Sequence, residues 1–89
     1  MSDQTRLSGL SEELWRSVIA ELKAAGWSVQ IGGGLDFSWA LMTREAMRID
    51  MEYDNWVGGE MAFDAIHADA IRADLKHEVS AILFTGSQL

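Results

Sequence analysis

The chain has no cysteine and no proline, and only one tyrosine and two histidines among its 89 residues. The absence of cysteine excludes disulfides, thiolate catalysis and cysteine-ligated zinc, and it fits a reducing, cytoplasmic setting better than an extracellular one. No proline, internal repeat or low-complexity stretch divides the sequence, so residues 1–89 read as one domain with flexible termini at about 1–8 and 86–89. No apolar run approaches the roughly 18 to 20 residues of a membrane-spanning helix, and no membrane partner is expected. Basic residues are also scarce: 7 Lys and Arg face 14 Asp and Glu, for a net charge of -7. Residues 27–66 hold seven of the acids and two of the bases. A field of this sign repels nucleic acid and attracts basic surfaces or cations, so direct nucleic-acid binding is disfavoured.

What is present is apolar. Hydrophobic residues make up 48%, with eight further glycines, a little above the usual globular share. A chain this short leaves roughly two-fifths of its unfolded surface exposed after folding. The surplus suggests that a second copy or a partner covers part of it.

Ser11 is placed to cap a helix running to about Ala25, with Glu12 and Glu13 in its first turn and Gly26 as its stop. Leu10 and Trp15 are spaced as a hydrophobic staple, and Leu14, Val18, Ile19, Leu22 and Ala25 build one apolar stripe. From Trp27 to Ala65 the period falls from 3.6 to 2, in four alternating segments: Trp27–Ile31, Phe37–Met42, Arg48–Trp56 and Glu60–Ala65. Glycines separate them, and the connections are too short for parallel crossovers. A second helix is expected from about Ile66 to Phe84, capped by Asp64 or Asp69 and followed by Gly86. The fold class implied is α+β, in the order α-β-β-β-β-α. A four-stranded antiparallel meander carries two helices on one face and leaves an open acidic face on the other.

That face is centred on the alternation Asp50-Met51-Glu52-Tyr53-Asp54. A strand sends Ile49, Met51 and Tyr53 one way and the three acids the other. The register expected sets Phe37 opposite Tyr53, Trp39 opposite Met51 and Leu41 opposite Ile49, which buries the aromatic residues of the second segment. It sets Asp36 opposite Asp54, Ala40 opposite Asp50 and Glu52 opposite Asp64, widening the acidic row into a patch. Trp56 falls at its rim as an exposed anchor, a role that tryptophan favours.

Other motifs carry less. The acids at 50, 52 and 54 sit like the first ligands of a calcium loop, but Asn55 stands where glycine is required and Met61 where the bidentate glutamate belongs. Gly32-Gly33-Gly34 lacks the lysine and hydroxyl of a phosphate loop and leads into a strand, so it reads as a turn. His67 and His77 are ten residues apart, not a spacing that stacks two side chains on one helix face. No cofactor is implied, and no catalytic constellation is visible.

The expectation is a non-enzymatic module whose partner-binding residues Asp36, Asp50, Glu52, Asp54, Trp56 and Asp64 meet a basic protein surface, as an inhibitor or immunity-type protein would. Two alternatives stand beside it. One is a homo-oligomeric structural or adaptor protein, a homodimer joined through the first or fourth strand of the meander. The other is a weak divalent-metal-dependent enzyme or sensor using Asp36 with Asp54, or Glu52 with Asp64.

Overall fold

In the computed structural model, which describes residues 3–84, the first element is a strand that the sequence pattern conceals. Residues up to Ser8 were expected as a flexible tail. Instead Gln4–Leu10 forms β1, with Thr5 opposite Phe63 and Leu7 opposite Met61 of the last strand. Its alternation is carried by one threonine and one leucine before the register shifts between Leu7 and Leu10, where Gly9 takes φ 73°. That is too little apolar content to register as a periodic signal.

Helix α1 follows at Glu12–Ala24 and agrees with its sequence signals: Ser11 Oγ accepts from the Leu14 amide at 3.1 Å, and Trp15, Val18, Ile19 and Leu22 are buried. The chain then makes β2 (Ser28–Gly33), β3 (Phe37–Arg44), β4 (Met47–Asp54) and β5 (Gly58–Asp64). These four form the expected antiparallel meander, and β1 adds beside β5 to give the order β1-β5-β4-β3-β2. The sheet therefore has five strands rather than four.

A 3-10 turn at Ala65–His67 leads to α2 (Ala68–Ala73) and α3 (His77–Phe84). The single helix expected over 66–84 is broken, because groups distant in sequence hold the break open. The Asp74 carboxylate accepts from Trp27 Nε1 at 2.8 Å and from Arg44 at 2.6 Å, and Glu21 Oε1 of α1 accepts from the Lys76 amide at 2.8 Å. The expected stop at Gly86 and the tail 86–89 lie outside the described residues.

Two registers also differ from expectation. Between β3 and β4 the pairs are Phe37 with Asp54, Trp39 with Glu52 and Leu41 with Asp50, one residue from the pairing that would bury the aromatics. The cause is the connection: Arg44 pairs with Met47, leaving a two-residue turn of Glu45 and Ala46 with Glu45 at φ 55°. Ala40 and Met42 consequently face the core, and Trp39 does not. Between β4 and β5, Glu52 meets Glu60 rather than Asp64, because the turn is Asn55-Trp56-Val57 and both Gly58 and Gly59 belong to β5. The core lies between this sheet face and the helices, and includes Trp15, Leu22, Met42, Ile49, Met51, Phe63, Ile71 and Leu83. Each such side chain contributes roughly 1.5 to 3 kcal/mol on burial.

Gly59 shows why a glycine stands inside a strand: a Cβ there would lie 2.8 Å from Trp15 Cδ1, and that indole is fully buried. Gly59→Ala is expected to destabilise the fold by about 1 to 3 kcal/mol through overpacking, whereas Gly34→Ala, with open space around it, should stay within about 0.5 kcal/mol. Urea denaturation of the two variants checks this. Asp74→Ala leaves the Trp27 indole N–H without its acceptor and should cost about 1 to 2 kcal/mol in the same measurement.

Candidate functional site

Side chains on the sheet face away from the core are fixed by the ladder. Strand β3 sends Phe37, Trp39 and Leu41 there, β4 sends Arg48, Asp50, Glu52 and Asp54, β5 sends Glu60, Ala62 and Asp64, and β1 sends Gln4 and Arg6. The carboxylates are thus interleaved with aromatic and basic side chains across the sheet, although Glu52 stands opposite Glu60. The cross-strand row through Glu52 runs Gly32, Trp39, Glu52, Glu60, and the next runs Gln30, Leu41, Asp50, Ala62, Arg6. The expected pairs Asp36 with Asp54 and Glu52 with Asp64 are not formed.

Most of the acids singled out by the sequence are engaged locally. Asp50 takes Arg48, two residues back on the same face, in a two-pronged contact at 3.0 to 3.3 Å. The carboxylate raises the Arg48 guanidinium pKa, first through the hydrogen bond and then through its charge. Asp54 accepts from the amides of Trp56 at 2.7 Å and Val57 at 3.3 Å, closing the β4–β5 turn in the manner of an Asx turn. Asp64 caps the 3-10 turn by accepting from the Ile66 amide. Asp36 lies in the β2–β3 loop, where its carbonyl accepts from the Asn55 amide at 3.2 Å and its carboxylate from Asn55 Nδ2 at 3.4 Å. Glu60, which the sequence did not single out, pairs with Arg6 and accepts from Ser8 Oγ at 3.2 Å.

Glu52 is different. It is exposed, and among the described residues it alone of these carboxylates enters no side-chain hydrogen bond or ion pair. Like charges opposite one another are unfavourable, and Arg6 relieves the Glu52–Glu60 pair from one side only. Phe37, Glu52, Asp54, Val57, Glu60 and Ser8 line a shallow groove of about 270 Å³.

The groove ends at two loops that the Asp36–Asn55 bonds tie together. Their apolar side chains have not been buried: Leu35 is 99% exposed, Trp56 86% and Val57 80%. Trp56 thus occupies the exposed position expected of it. Trp39, assigned to the core by the sequence pattern, lies over Gly32 with 38% of its surface open, so close that a Cβ at Gly32 would fall 2.5 Å from the indole. No sequence signal marked this: Glu45-Ala46 lacks the Asn-Gly, Asp-Gly or Gly-X of a recognisable two-residue turn, and the odd register it imposes is seen only in the pairing of Arg44 with Met47.

Among the described residues no group of three or more His, Asp or Glu is placed to hold a metal ion, so the metal-dependent alternative gains no ligand set. His67 is half-buried and His77 exposed, and neither lines the groove. Among the described residues no helix is long and apolar enough to cross a membrane. Comparison of the chain with protein-family models, with curated proteins and with solved structures gave no match.

The acids that terminate elements should separate from Glu52 on mutation. Asp54→Ala removes the acceptor of two turn amides and is expected to cost about 1 kcal/mol of stability, while Glu52→Gln should fall within about 0.5 kcal/mol of wild type or slightly above it. Thermal or urea unfolding of the two variants distinguishes them.

Proposed function

We propose that this chain is a small, non-enzymatic interaction module that docks a basic protein surface against the far face of its sheet. The observation that carries the reading is Glu52, an exposed and unpaired carboxylate between Trp39 and Glu60 on a groove shared with Phe37. An arginine or lysine entering there gains a carboxylate partner beside aromatic side chains, and a cation near an aromatic face is attracted further. Leu35, Trp56 and Val57 at the groove's end offer the apolar contact area that charged residues alone do not supply. The remaining acids act at longer range: five carboxylates and two arginines share this face, so a basic partner is drawn to it even where individual acids are hydrogen-bonded.

The partner-binding set is therefore Glu52 with Trp56 and its loop neighbours at the centre, and Asp36, Asp50, Asp54 and Asp64 as supporting charge. Alternate residues on the β4 row stand about 6.5 to 7 Å apart, close to the spacing of successive phosphates on a nucleic-acid strand. A nucleic-acid-handling protein whose basic site is covered is accordingly the concrete form, an inhibitor or immunity-type role. The cysteine-free composition suits action in a reducing, cytoplasmic setting.

Immobilised protein challenged with host lysate at low salt is expected to retain a basic protein that elutes as salt rises. The double variant Glu52→Lys, Trp56→Ser should weaken that retention at least about tenfold, or 1.4 kcal/mol, with an unchanged circular dichroism spectrum. Equal retention by wild type and double variant would sink the reading.

A further inference from the structure

The two edges of the sheet are not alike. The β1 edge is blunted two ways: Arg6 stands in mid-strand, and the register breaks between Leu7 and Leu10. Charge and a bulge are usual means by which a free strand edge is kept from pairing. The β2 edge has neither. Ser-Val-Gln-Ile-Gly-Gly carries no charge and no proline, and it pairs with β3 without a break from Ser28–Thr43 to Gly33–Ser38. Apolar surface flanks it on both sides: Ile31, on the helix side of the sheet, is 61% exposed, and the Trp39 indole reaches across Gly32 on the other.

We infer that β2 pairs antiparallel with β2 of a second copy of this chain, joining two five-stranded sheets into one. The occupant follows from the sequence of the edge, which is self-complementary about Gln30. A two-fold axis perpendicular to the sheet and passing through Gln30 sets Gln30 against Gln30, Val29 against Ile31 and Ser28 against Gly32, each pair on one face. This register sets the half-buried Val29 against the exposed Ile31, pairs two amide side chains on the far face, and brings no charge opposite a like charge. Neutrality at the contact matters for molecules that each carry -7. A basic strand from another protein would meet no carboxylate on β2 itself. The same axis leaves both groove-bearing faces on one side of the joined sheet, so a basic partner meets two docking sites together. The pairing does not depend on that partner.

Light scattering coupled to gel filtration is expected to give twice the monomer mass at high concentration, falling toward the monomer on dilution. Gln30→Lys places two ammonium groups on the axis and should weaken the dimer at least about tenfold, leaving the monomer's circular dichroism unchanged; Gln4→Lys on the β1 edge should leave the dimer intact. Because the chain has no cysteine, a single Gln30→Cys should cross-link on oxidation, the paired Cα separation of about 4.5 to 5.5 Å being within disulfide reach. Ser28→Cys, which faces Gly32, should not. A monomer at every concentration overturns the inference, as does a dimer that is indifferent to Gln30→Lys and fails to cross-link through Gln30→Cys.

Discussion

The two-residue turn between Arg44 and Met47 decides which side of the molecule every neighbouring side chain occupies. In β4 the choice of face is forced by cost: Arg48, Asp50, Glu52 and Asp54 share one side, and burying unpaired charges is prohibitive. In β3 nothing forces it, since Phe37 to Thr43 contains no charge and both faces are apolar or small. The turn settles the matter by fixing parity. With two residues in the loop, Ala40 and Met42 enter the core opposite Met51 and Ile49, while Phe37, Trp39 and Leu41 are carried to the acids. Glu45 accepts a left-handed φ of 55° to allow this, a strain of about 1 to 2 kcal/mol for a residue with a Cβ. The aromatic share of the far face, and the place of Ala40 and Met42 in the core, are products of that one local conformation.

An acid excess does not by itself mark a binding surface, and this chain shows why. Asp54 closes a turn, Asp64 caps a 3-10 turn, Asp36 ties two loops, Glu21 caps the start of α3 and Asp74 holds the helix break against Trp27 and Arg44. These carboxylates replace terminations that proline would often mark, and the chain has none. Once such acids are set aside, the far face reduces to two arginine-paired carboxylates and Glu52. The aromatic neighbours of Glu52, not its acidic ones, distinguish it from a solvated position.

Legibility in the sequence followed the range of the interaction that decides each feature. The cap at Ser11, the stripe of α1 and the alternation of β4 rest on contacts within a few residues, and the structure agrees with them. The exposed Trp56 was legible for the same reason, as a residue at a turn. The split between α2 and α3 was not, because Asp74 finds its partners 47 and 30 residues away. Strand β1 was hidden because its two apolar residues flank a bulge, and it exists only through its pairing with β5. Within the site, the sequence located the β4 row but not its neighbours. A one-residue difference in register, decided by two turn residues, exchanged an acidic patch for a mixed aromatic and acidic one.

The apolar surplus visible in the composition has a definite address. Ile31, Leu35, Phe37 and Trp39, four of the large exposed hydrophobics, belong to the β2–β3 hairpin, and Trp56 and Val57 stand on the loop bonded to it. The helices cover the sheet unevenly: Met42 and Ile49 are fully buried, while Ile31 at the β2 edge is mostly open. Two copies joined at β2 would cover that opening with matching side chains, and the acids that give each copy its charge lie off the joining strand. Charges separated by more than about 8 Å at physiological ionic strength are largely screened, so the repulsion between two acidic copies bears weakly on a contact made by uncharged residues. In such a pair the two grooves would lie on one side of the joined sheet, with Glu52 of each copy open to a basic partner as proposed.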